Sequence, residues 1–255
     1  MKNIKKYLIN HLKKLKINKN DNIIIYSKLS SFGLMEKKFP KILINTIIDY
    51  IGKKGTIIMP SYTFNKNKNF IFDIKKINKN YSTSLLVKEF FKNKNIKRSF
   101  RPIHSHIGIG PKSHLLKKIN NYNSFGKKTD FIFLDKYNFK SIFLGCEPQE
   151  AATFLIHLEY INNVPYRNKI ILNKKINLED KIQSIKMDYF DKPRNIEFDY
   201  NSAFKKIKKL GLKINKVNLR FGRSISFKIK DLSYYGKILF KKNKYCLVKN
   251  FNEFK

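Results

Sequence analysis

Two short apolar runs enclosing an amphipathic segment constrain this chain more than anything else in it. NIIIYS, ending at Ser27, follows the turn-forming Asn20-Asp21-Asn22, and TIIMP ends abruptly at Pro60. Between them, Pro40 to Ile51 repeats isoleucine and leucine at helical spacing and stops at Gly52, with the proline suited to a first helical turn. Strand, helix, strand in that order predicts a βαβ unit with a right-handed crossover. It brings the 27–33 and 60–63 loops to one sheet edge, the edge where open α/β sheets bind ligands.

The rest of the chain extends that unit. Ile4, Leu8, Leu12 and Leu15 predict an amphipathic N-terminal helix, and Ser82 a cap for a helix reaching about Asn93. Lys140–Cys146 and Asp130–Leu134 read as strands, and Glu150–Ile161 as a helix. LNKKINLEDKIQSIKMDYF alternates like an antiparallel hairpin. Beyond it, a 200–210 helix precedes strands at 217–221, 225–229 and 245–248 around a 231–240 helix. The expected fold is α/β: a central mixed, mostly parallel sheet flanked by helices, with a small antiparallel β-rich C-terminal part. Without a long linker, residues 1–255 read as a single domain, with 1–165 as its core and 166–255 as the β-rich part.

Charge narrows the function less than its size promises. A net charge of +37 invites a polyanion partner. Yet arginine, the residue of bidentate phosphate recognition, occurs only six times, while lysine, asparagine and isoleucine are all in excess and alanine appears three times. That is the mark of an AT-rich coding sequence, and it argues against nucleic acid as the main partner. Two cysteines imply neither a disulfide framework nor zinc, and no metal is expected. No apolar run approaches the roughly 20 residues needed to span a bilayer. With no leader signature at the N-terminus, a cytoplasmic protein is expected.

Four of the five histidines and three of the six arginines fall between Arg98 and Arg167. That stretch contains RSFRPIHSHIGIG (98–110), SFG (124–126), FLGCEP (143–148), TFLIHLEY (153–160) and VPYR (164–167), preceded by YSKLSSFG (26–33) and GTIIMPSYT (55–63). In this running order the motifs resemble those of the aminoglycoside 3-N-acetyltransferases and of their relatives in surface-polysaccharide clusters, thought to acylate amino sugars. The resemblance implies acetyl-CoA as co-substrate, a small-molecule amine acceptor such as an amino sugar, and direct acyl transfer. Such transfer needs a base for the amine proton and donors for the developing oxyanion. It implies catalytic duty for Glu159 and His157, and cofactor contacts from Ser27, Ser30, Ser31, Ser61, Arg98, Ser99, His104 and Ser105. For the serines the plain alternative is turn capping; for Arg98 it is a salt bridge at the rim.

Three family histidine positions are altered here, to Tyr26, Ile156 and Arg101. The shifted His157 points away from Glu159 on a regular helix, since residues two apart do not share a face. Three readings therefore stand: an N-acetyltransferase, a homologue that binds CoA or sugar without turnover, and a basic polyanion-binding protein. Neither the acceptor nor the oligomeric state is legible.

Overall fold

Ile23 and Ile25 belong to one apolar cluster and Ile24 and Tyr26 to another, and all four are buried. This is the pattern of a strand covered by helices on both faces. The computed structural model describes residues 2–33, 36–65, 67–77, 84–118, 122–151 and 153–249. Its first half contains α1 (Lys2–Lys14), β1 (Asn22–Ser27), α2 (Phe39–Ile51), β2 (Thr56–Pro60), β3 (Ile71–Asp73), α3 (Leu85–Phe90), β4 (Lys97–Arg98), β5 (His106–Ile109), α4 (Leu115–Lys118) and α5 (Asp130–Lys136). Its second half contains β6 (Lys140–Leu144), α6 (Pro148–Ala151), α7 (Thr153–Ile161), β7 (Asn168–Leu178), β8 (Lys181–Asp191), α8 (Tyr200–Lys209), β9 (Asn215–Leu219), β10 (Gly222–Lys228) and α9 (Ile229–Lys242).

Seven strands form the main sheet in the order β4-β5-β2-β1-β6-β10-β9. β2, β1 and β6 are parallel, as the βαβ reading requires. The sheet is mixed and flanked by helices, but its balance differs from the expectation. Every pairing outside that parallel core is antiparallel; β4–β5 and β9–β10 join sequence neighbours, while β2–β5 and β6–β10 close over long connections. Apolar faces of α1, α2 and α3 cover one side, and those of α5, α7, α8 and α9 cover the other. The predicted hairpin is β7–β8, which pairs in parallel with the short β3 to make a second, three-stranded sheet.

Asp130–Leu134 is helix rather than strand. Phe131, Phe133 and Leu134 are buried at a spacing that also suits a helix face, and a short apolar run does not distinguish the two by periodicity. Tyr245–Val248 contributes only an isolated bridge, Val248 to Phe198. Helix α3 is capped by Ser84, whose side chain accepts a hydrogen bond from the Val87 N–H. Ser82, the expected cap, lies outside the described residues.

Candidate active site

A cavity of about 680 Å³ opens at the C-terminal ends of the three parallel strands. Its walls come from the β1 end and following loop (Ser27, Lys28, Ser30), the β2 end (Pro60, Tyr62, Phe64), the start of α3 (Ser84, Leu85), the turn after β6 (Cys146), α6 (Glu150) and the start of α7 (Thr153). The turn is tight. Gly145 has φ +73, and a Cβ there would sit 2.6 Å from the Lys28 carbonyl oxygen, so no other residue closes this corner without strain. Ser31 seals it by donating to the Gly145 carbonyl at 2.6 Å.

One wall of the cavity continues inward as a chain of polar groups. The β2–β5 pairing carries on past the strand ends, with Ser61 N–H on Ser105 O at 2.8 Å and Thr63 N–H on Ile103 O at 2.9 Å. Alternation then puts Tyr62, His104 and His106 on one face and Ser61 and Ser105 on the other. Tyr62 packs edge-on against both imidazoles, with centroids 5.0 Å from His104 and 5.4 Å from His106. Its hydroxyl lies 3.3 Å from His106 Nε2, and His106 Nδ1 lies 2.9 Å from Asp130 Oδ2. Asp130 also accepts from Arg101 at 2.6 Å and Ser99 at 2.7 Å. Burial pushes the Asp130 carboxyl upward, but Arg101, His106 and Ser99 together outweigh it and hold the pKa below its ordinary value. The Tyr62 hydroxyl, with Tyr26 and Thr153 beside it, is held well above the usual phenol value, chiefly by burial.

The serines and basic residues singled out from the sequence divide between wall and interior. Ser27 and Ser30 line the cavity; Ser27 Oγ also meets Ser84 Oγ at 2.9 Å. Ser61 and Ser105 are buried behind it and bond each other at 3.0 Å. Arg98 is buried rather than at a rim. Its guanidinium donates to Ser105 Oγ, to Ser61 O at 3.0 Å and to the carbonyls of Asp73 and Lys76, and it stacks 4.5 Å over Phe72. It therefore ties the β2 end to the β3 loop and does not line the cavity. His104 is enclosed by Tyr62, Phe64, Phe125 and Tyr189, and burial drives its pKa to about 3, so it stays neutral.

Glu159 and His157 are both buried and neither lines the cavity. Glu159 Oε1 accepts from the Tyr166 hydroxyl at 2.8 Å. Its Oε2 lies 2.9 Å from Arg167 Nε, close enough for an ion pair but off the N–H direction. Burial raises its pKa to about 7 despite Arg167. His157 stacks on Phe131 with centroids 5.3 Å apart and accepts from the Gly126 N–H at 3.4 Å. Burial lowers it to about pKa 3. Sequence reasoning missed Tyr62, His106 and Asp130. The signal was available in His-Ser-His, whose alternation in a strand pairs the two histidines on one face.

A helix-flanked mixed sheet with a hydroxyl-lined cavity at the ends of its parallel strands is the arrangement in which open α/β sheets hold ligands. The chain belongs to the aminoglycoside 3-N-acetyltransferase family, whose model matches residues 24–237, and it is accordingly an N-acetyltransferase with acetyl-CoA as co-substrate. Solved structures of the same fold include the YokD protein from Bacillus subtilis (17% identity, TM-score 0.79, covering 94% of this chain and 99% of that one). The aminoglycoside acetyltransferase AAC(3)-IVa, as its apoenzyme, aligns at 17% identity and TM-score 0.77, covering 98% of this chain and 92% of that one. AAC-IIIb in its binary complex with CoASH aligns at 16% identity and TM-score 0.77, covering 93% and 96%. Among curated protein sequences, none matches the chain significantly. Among the described residues no helix is long and apolar enough to cross a membrane.

Proposed function

We propose that this protein acetylates the amine of a neutral or anionic amino sugar, free or carried on a nucleotide or lipid, with the acyl-bearing arm of acetyl-CoA lying in the cavity. The wall fits such an arm. Ile25, Leu29, Leu85 and Val87 offer apolar contact, and the hydroxyls of Ser27, Ser30 and Ser84 offer hydrogen bonds at intervals. When bound, the thioester supplies the activated acyl group, and the protein supplies position, exclusion of water and a destination for the amine proton.

The observation that carries the acceptor class is the state of the carboxylates. A site specialised for a polycation needs free negative charge around the amine. Here Glu150 is paired with Lys28 at 2.6 Å, Glu147 with Arg223 at 2.6 Å and Glu159 with Arg167 at 2.9 Å. Among the described residues lining the cavity, Lys28 and Glu150 are the charged ones, and they neutralise each other. The chain carries 55 basic residues against 18 acidic ones. Thiol release from acetyl-CoA, followed with kanamycin, glucosamine 6-phosphate and UDP-glucosamine at equal concentration, tests the reading. A phosphorylated or nucleotide-linked sugar is expected to give the higher kcat/KM, and a preference for kanamycin overturns it. Binding of acetyl-CoA with no turnover of any amine would instead mark a homologue that has lost the reaction.

A further inference from the structure

We propose that Tyr62 is a catalytic residue of this chain, carrying the proton of the attacking amine to His106, with Asp130 as the residue that positions His106 to receive it. The proposal rests on the acetyltransferase reading and adds to it the proton path, built from residues outside the positions where the family's histidines are replaced.

The geometry gives each group one role. Ionised Asp130 only accepts, so the His106 nitrogen 2.9 Å from it, Nδ1, carries the hydrogen. In the neutral ring Nε2 is then the acceptor, and it faces the Tyr62 hydroxyl at 3.3 Å. Asp130 itself cannot turn away, because Arg101 and Ser99 hold its two oxygens and Arg101 is anchored in turn on the Lys128 carbonyl at 2.9 Å. Ser99 Oγ also accepts from the His106 N–H at 3.0 Å and fixes that backbone. Phe131 closes the remaining side of the imidazole, edge to face at 5.3 Å. At the other end, Tyr62 belongs to the cavity wall with Tyr26 and Thr153, and both of these stand beside its hydroxyl.

A buried phenol is a poor base alone, so Tyr62 moves a proton only when a better base stands behind it. His106 is that base. His104 lies nearer to the tyrosine ring but has no carboxylate behind it, and its Nδ1 is without a partner among the described residues. In the forward step the amine nitrogen bonds to the acyl carbon and its proton passes to the Tyr62 oxygen, while the phenolic proton passes to His106 Nε2. The resulting imidazolium faces the Asp130 carboxylate. As the carbon–sulfur bond breaks, the proton returns along the same path to the departing thiolate, leaving amide, CoA thiol and the starting protein.

Two measurements test it, one of them independent of turnover. Nitrogen-15 spectra of histidine-labelled wild-type protein should show His106 as the Nδ1–H tautomer, with a Nε2 signal that shifts in Tyr62→Phe, a change that keeps the ring packing. A Nε2–H tautomer, or a signal unmoved by Tyr62→Phe, overturns the path whether or not an acceptor has been found. On the best of kanamycin, glucosamine 6-phosphate and UDP-glucosamine, Tyr62→Phe should lower kcat at least about 100-fold, the lower end of what general-base removal costs. Its acetyl-CoA Kd should stay within about threefold, since the lost contact acts on the reacting proton rather than on the carrier. His106→Gln should lower kcat similarly. Full turnover in both variants sinks the relay and leaves the acetyltransferase reading standing, whereas wild-type protein that fails to bind acetyl-CoA sinks that reading and the relay with it.

Discussion

Asp130 and Glu159 are both fully buried carboxylates set against an arginine, yet one is held ionised and the other is pushed toward its protonated form. Burial acts on both in the same direction, so the difference lies in the donors. Asp130 receives Arg101, His106 and Ser99 at 2.6 to 2.9 Å. Glu159 receives one directed bond, from Tyr166, and an arginine whose guanidinium is largely engaged elsewhere. Arg167 lies 4.3 Å over the Phe198 ring and donates to Tyr200 at 3.0 Å. The first carboxylate continues through His106 and Tyr62 to the cavity; the second ends in the packing of the C-terminal part. A buried carboxylate ringed by donors stays ionised, while one with a single directed donor is pushed toward its neutral form.

The largest expected effect of a single substitution breaks the comparison at Asp130. Asp130→Asn leaves Arg101 buried without its anion and should cost about 3–5 kcal/mol at pH 7, measured by urea unfolding. Because the Asp130 pKa is lowered on folding, its contribution is present above the ordinary value of about 4 and lost as pH falls below it, so the cost of the variant should shrink in acid.

The acid limb of wild-type stability sums over several groups and involves no substitution. His104 and His157 fall to about pKa 3 and His11 to about 4, in each case first through burial. Their stabilisation is complete above about 6.5 and is lost as pH falls, at up to about 1.4 kcal/mol per pH unit for each. Glu159, raised to about 7, works in the opposite sense, adding stability as pH drops from about 7 toward 4.5. Urea titrations between pH 7.5 and 4.5 should show the loss, and it should be steeper in Glu159→Gln than in wild type. A flat profile would mean that the histidines are not buried as described.

The smallest effect is that of Glu159→Gln itself. It should cost about 1 kcal/mol at pH 5 and approach zero or turn stabilising at pH 8, where the native carboxyl is forced to ionise in a buried site. Its turnover should fall less than about tenfold, against the at least tenfold loss that a base at this position implies. A larger fall would return Glu159 to the chemistry and weaken the contrast with Asp130.

The βαβ core was legible because NIIIY and TIIMP are apolar on both faces and are bounded by a turn and a proline. The hairpin showed in its alternation. The site was legible in part: the motifs led to the loops that wall the cavity, including Ser27 and Ser30. What the sequence did not show was the direction of individual side chains. Arg98 reads in sequence as a cofactor contact or a rim salt bridge, but the β3 loop folds over it and takes up its donors. Glu159 and His157 lie on a helix whose inward face is wide enough to bury both. Asp130 reads as part of a strand, which hides its distance of one hydrogen bond from His106, a partner 24 residues earlier.

The position of β10 has a consequence for synthesis. This strand is made late, yet it lies inside the main sheet, between β6 and the edge strand β9. Until residues 222–228 have left the ribosome, β6 presents a bare row of amide and carbonyl groups along an apolar strand, a template for pairing with another nascent chain. The half-made protein is thus a greater aggregation hazard than the finished one, and the interval between completing β6 and adding β10 is the window in which a chaperone would matter most.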